Sequence, residues 1–169
     1  MARKIDGSKV ISFDATQYEG IKKYLGELFS KTRAKAVLFA DMAGQLIGER
    51  GDTAEMNTTV LSSLAAGDFA ATAEIAKLVG EGDRFKLHLH EGERKNVYLT
   101  HVGEQFFLII IFDANVALGM VRVYTKKAVE SILAIVEEAA GNEGMTEADM
   151  IDEDFGNLLA AELDGAFSD

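Results

Sequence analysis

Apolar side chains in this chain fall into runs of two periods, one helical and one extended, and the two take turns along the sequence. From Asp14 onward, Ile21, Tyr24, Leu25, Leu28 and Phe29 recur at spacings of three and four, one stripe of an amphipathic helix. Thr16 and Glu19 have the spacing of a capping box at its start. Ala34 to Ala40 reads as a strand, Asp41-Met42-Ala43-Gly44 as a turn and Gln45 to Arg50 as the returning strand of a hairpin. Arg50-Gly51-Asp52 reads as a strand-to-helix turn, and a long helix follows from about Ala54 to Val79, closed by Gly80.

Phe85 to His90 and Arg94 to Thr100 each alternate with period two around Glu91-Gly92-Glu93. A three-residue turn there pairs Leu89 with Lys95, Leu87 with Val97 and Phe85 with Leu99, which gathers the apolar side chains on one face. Phe106 to Phe112 is apolar at every position and therefore predicts a strand covered on both faces. A last helix runs from about Val116 to Ala140, with Leu118, Val121, Ala128, Val129, Ile132, Leu133, Ile135 and Val136 along it. The predicted order is α-β-β-α-β-β-β-α. Its short connections between strands specify an α/β sandwich, a five-stranded antiparallel sheet with helices on both faces.

The central helix is apolar on two sides. Val60, Leu61, Leu64, Ala71, Ile75 and Leu78 form one stripe, large enough to fill a core, while Ser62, Ala66, Phe69, Ala70, Ala73 and Ala76 lie opposite. A helix without a charged face is normally buried all round, and one sheet covers one side only. The small-residue side is therefore expected to meet either another part of this domain or a second molecule, with Asp68 close to the large stripe.

Charge redraws the boundaries. Residues 1–136 carry 17 basic and 17 acidic side chains, whereas 137–169 carry 11 acidic and no basic ones. The chain thus divides into an N-terminal extension, 1–13, a neutral domain, 14–140, and an acidic tail, 141–169. The tail repeats Ile151, Phe155, Leu158, Leu159 and Phe167, with Leu163 nearby, at near-helical spacing behind the joint Gly141-Asn142-Glu143-Gly144. It reads as an amphipathic helix for a basic groove, as a solvating segment, or as one folded back on its own domain. Without a basic footprint, nucleic acid is not an expected partner.

Counting removes other classes. The absence of cysteine excludes disulfides, thiolate metal sites and cysteine nucleophiles, and a reducing cytoplasm is the expected compartment. The longest apolar run, Phe106 to Phe112, is far short of the ~20 residues of a membrane-spanning helix, so no membrane insertion is expected. Gly80-Glu81-Gly82 lacks the rest of a phosphate loop, and no Ser-His-carboxylate spacing stands out. His88 and His90 share a strand face, but the hairpin above puts His101 on the other, so no metal site is expected. No catalytic residue and no cofactor is assigned, and the protein is expected to act by binding.

The hairpin AVLFADMAGQLIGERGD, the helix LSSLAAGDFAATAEIAKLVG and the closing FFLIIIFDANVALGMVRVYTKKAVESIL resemble the roadblock/dynein light chain family. The resemblance covers about residues 14–140. Within it, LAAGDFAATAEIAKLVGE, HEGERKNVYL and IIIFD are most similar to a bacterial branch that partners a Ras-like small GTPase. This implies a homodimer that engages the GTP-bound form of such a GTPase and activates hydrolysis by orienting the GTPase's own switch residues, in cell polarity or motility. The alternative is a scaffold or adaptor subunit that binds a GTPase or motor complex without stimulating it. Ser62, Ala66, Ala70, Ala73 and Lys77 are the expected dimer and partner surface, with Ile151, Phe155 and Leu159 as a secondary contact.

Overall fold

A computed structural model describes residues 10–142 together with Gly156, Leu158 and Leu159. Helix α1 (Ala15–Thr32) precedes a hairpin of β1 (Ala36–Asp41) and β2 (Leu46–Gly51), and α2 (Thr58–Val79) leads to β3 (Leu87–His90), β4 (Lys95–Val102) and β5 (Phe106–Asp113). Helix α3 (Leu118–Asn142) closes the domain. The five strands form one sheet in the order β2-β1-β5-β4-β3, every neighbouring pair antiparallel. The predicted order and fold class therefore hold.

The reason lies in β5, which is apolar at each of its first seven positions and sits at the centre of the sheet. Phe106, Leu108, Ile110 and Phe112 face the layer made by α1 and α3, where Ile21, Leu25, Leu28, Val121, Ile132 and Val136 meet them. Phe107, Ile109 and Ile111 face the other way and, with Ala36, Leu38, Ala40 and Leu99, form a second core under α2. Phe13 closes one end of the first core against Phe106 and Phe39, at ring distances of 5.6 and 6.3 Å.

Three local expectations are corrected. The cap of α1 is Asp14 with Gln17, not Thr16 with Glu19: the Gln17 N–H donates to Asp14 Oδ1 at 2.8 Å and the Asp14 N–H to Gln17 Oε1 at 3.0 Å. A carboxylate at the cap accepts that bond more strongly than a threonine hydroxyl. Helix α2 starts at Thr58, because the Asn57 side chain caps it by accepting from the Val60 N–H.

The β3–β4 register is the largest difference. Leu87 lies opposite Thr100, His88 opposite Leu99, Leu89 opposite Tyr98 and His90 opposite Val97, three positions from the three-residue-turn pairing. An odd slip turns one strand over relative to the other. His88 and His90 consequently share the α2 face with Leu99 and Val97, and Leu87 and Leu89 join the α1/α3 face.

The β1–β2 turn fits against α2. Gly44 has φ +88°, and a Cβ there would lie 2.8 Å from Ser63 Cα. G44A is expected to cost about 1–3 kcal/mol, combining left-handed strain with that collision. Urea denaturation checks it, and an unchanged midpoint would refute the close approach.

Candidate interaction surface

Among the described residues helix α2 covers its side of the sheet alone, and the side it turns inward is mainly the small one. Ser62, Ala65, Phe69 and Ala76 are its buried residues. Phe69 is the large residue among them, with its ring 5.0 Å from Phe107, and Leu61 packs half-buried against the same core. The sheet contributes the bulk at this layer through Phe107, Ile109, Ile111 and Leu99, so the helix above it must be slim to come close.

The large apolar stripe, Leu61 excepted, therefore points outward, the reverse of the sequence expectation; Leu61 is half-buried against the sheet-side core. Val60, Leu64, Ile75 and Leu78 are 49, 67, 49 and 86% exposed. They recur along one line of the helix, with Ala71 also exposed between them. A continuous exposed apolar stripe with polar neighbours marks an association surface.

The five α2 residues expected at the partner surface separate. Ser62 is fully buried, its hydroxyl donating to the Thr58 carbonyl at 2.9 Å, so it has no surface to offer. Ala66 and Ala73 are half-buried. Ala70 and Lys77 are exposed on the flank, Lys77 paired with Glu74 at 2.8 Å. Residue size alone sends the large apolar side chains to the core, but Phe107, Ile109, Ile111 and Leu99 of the sheet already fill it. Of the secondary contact, Leu159 is helical and exposed, and Ile151 and Phe155 lie outside the described residues.

The border between α2 and the edge strand β3 is polar. Asp68 bonds the buried His88 at 2.7 Å, Oδ2 to Nδ1, and its Oδ1 lies 3.5 Å from Nε2 of the exposed His90. The Thr72 hydroxyl completes what looks like a threonine-histidine-aspartate relay, 3.2 Å from His88 Nε2. However, it is also 3.5 Å from Nδ1, so it sits over the ring instead of in line with the Nε2 lone pair. It donates to the Asp68 carbonyl at 2.7 Å, the back-bond of an ordinary helical threonine. This is not the geometry of an activated nucleophile.

His101 is on the α2 face with the other two histidines, which corrects its expected placement. Its ring packs 4.4 Å from Phe69, and His88 packs 4.6 Å from the same phenyl. Among the described residues, no group of three His, Asp or Glu side chains is placed to hold a metal ion. Burial, reinforced by Arg84 and His88, pushes the His101 imidazole down from 6.5 to about 4. The folded state thus refuses a proton that the unfolded chain takes up between those two values. Stability from this group is complete above pH 6.5 and declines as the pH falls toward 4. Denaturation midpoints measured across that range should vary less with pH in H101Q than in the parent, and equal slopes would remove His101 from the acid response.

No helix of the described residues is long and apolar enough to cross a membrane.

A family model described as the Roadblock/LC7 domain matches residues 21–112. The solved structure of Myxococcus xanthus MglB is 36% identical, covering 77% of this chain and 96% of that one, with a TM-score of 0.72. A structure titled MglB with tetrameric arrangement is 31% identical over 78% and 97% of the two chains, TM-score 0.72. The gliding protein MglB of Thermus thermophilus is 32% identical over 77% and 97%, TM-score 0.70. In sequence and in fold, the chain belongs to the Roadblock/LC7 family and is MglB-like.

Proposed function

We propose that this protein is a homodimeric activator of a bacterial Ras-like small GTPase of the MglA type, acting in cell polarity or motility. The observation that carries the reading is the exposed apolar stripe of α2 in a chain 36% identical to an MglB. Two copies laid stripe to stripe bury Leu64 and Ile75, and they leave a pooled surface, flanked by Ala70 and Lys77, for the GTPase. The tail residues Ile151, Phe155 and Leu159 add a second contact. Self-association agrees with the tetrameric arrangement described for one similar MglB.

The chemistry is left to the GTPase. Hydrolysis requires an aligned water and stabilisation of charge on the transferring phosphoryl group. Helix α2 contains no arginine to insert, and the one relay-like cluster beside it is not a nucleophile. Acceleration then comes from tighter binding to the conformer whose own switch residues are aligned, which requires preference for the GTP-bound form.

GTP turnover by the cognate MglA-type GTPase, measured with and without this protein, tests the reading. Stimulation that saturates at two chains per GTPase is the expected outcome. Binding with unchanged turnover would make the protein an adaptor instead.

A further inference from the structure

On the side of the sheet opposite α2, helices α1 and α3 run antiparallel. Gly20 near the start of α1 packs against Ile135 near the end of α3, and Leu28 and Lys31 share a cavity with Tyr124 and Lys127. That cavity is about 150 Å³, floored by the buried Leu28 and Ala128 and walled by the half-buried rings of Tyr24 and Tyr124. It is aromatic, and its rim is cationic. Lys127 lies 5.5 Å over the Tyr124 ring, and Lys31 and Lys127 make no ion pair among the described residues. Glu27, the acidic residue in the lining, is drawn toward Lys23 at 4.0 Å.

The same chain holds a segment of matching chemistry. Beyond Asn142 it carries nine acidic residues and no basic one, with Ile151, Phe155 and Leu159 spaced four apart. Leu158 and Leu159 are helical, and at 66 and 44% exposure their apolar surface is uncovered. The segment also reaches. Ser131, at the near end of the cavity, is 11 residues before the end of α3, about 16 Å back along the helix axis. Residues 143–150 span up to about 26 Å when extended. The sequence places Gly144 just past the end of α3, where a glycine puts no Cβ in the way of a reversal of the chain.

We infer that the acidic C-terminal segment, residues 143–169, folds back onto the α1/α3 groove of its own chain. Its apolar stripe covers the two tyrosine rings, and its carboxylates face Lys31 and Lys127. Because this groove and α2 lie on opposite sides of the sheet, docking leaves the α2 stripe free. The inference is independent of the α2 part of the GTPase reading but competes with the tail contact there: while Ile151, Phe155 and Leu159 cover the tyrosine rings they are withheld from the GTPase.

The chain has no cysteine, so two can be introduced without background. Full-length S131C/N157C, spin-labelled at both sites and diluted with unlabelled chain, reports the distance between groove and tail within one molecule. A short, narrow distance is expected at low salt, lengthening in about 1 M salt, where the Debye length is ~3 Å. Adding K31E and K127E, both on exposed positions, should lower the docked fraction about tenfold while circular dichroism stays unchanged. A long, broad distance at low salt would overturn the inference. So would a short distance unaffected by the charge reversals, or one present only before the dilution with unlabelled chain, which would place the tail on a neighbouring copy.

Discussion

Aspartate at position 64 is expected to convert the protein into a single-chain species without unfolding it. Leu64 is 67% exposed within one chain, so a carboxylate there is solvated and the fold has no reason to object. Between two α2 stripes the same carboxylate would be buried with no partner, at a cost of several kcal/mol. Association should weaken by more than about 100-fold, because a central apolar contact is lost and a charge is desolvated in its place. Light scattering should report the mass of one chain, circular dichroism should match the parent, and any stimulation of GTP turnover should vanish together with the dimer. V123D is the control: Val123 is also exposed, at 54%, but belongs to α3 on the other side of the sheet, and its variant should assemble normally. If L64D keeps its oligomeric mass, the α2 stripe is not the interface, and the open edge at β3 takes its place as the candidate.

The second large effect is internal. Phe69 is the one large side chain of α2 that is fully buried against the sheet, its other buried residues being Ser62, Ala65 and Ala76, with Leu61 half-buried at the margin of the same core. Its phenyl lies within 5.0 Å of the rings of Phe107, His88 and His101. Removing it in F69A leaves a cavity that small neighbours on the helix cannot fill, at a cost of about 3–5 kcal/mol. The damage should be local first. Amide exchange should accelerate through α2 before it does in α1 or α3, because those helices are held by a separate core on the far face of the sheet. A loss below about 1 kcal/mol would mean that α2 is held by something other than this ring, and F69L should fall between the parent and F69A.

How much of this was legible beforehand depends on whether a residue's environment was local. Strand β5 announced itself because seven consecutive apolar residues have no solvent face, and from that strand followed the two-sided sandwich. Helices α1 and α3 were legible for the same reason, each having one apolar stripe and one polar face. The β3–β4 register was not legible. Val97, Tyr98 and Leu99 make β4 apolar on both faces, so the alternation that normally specifies register could not choose between an even and an odd offset. The histidines moved with it, which is why His101 joined His88 on the α2 face.

The orientation of α2 belongs to the same class. Both of its sides are apolar, and a pattern without a polar face carries no direction. The order of elements, the central strand, the neutral domain and the acidic tail were determined by the sequence itself, because each depends on what a residue is and on its near neighbours. Which side of α2 meets the sheet, and so which residues remain for a partner, was decided only in three dimensions. Phe107, Ile109 and Leu99, distant along the chain, had already filled the layer beneath, and close packing admitted the slim side of the helix and turned the large one out.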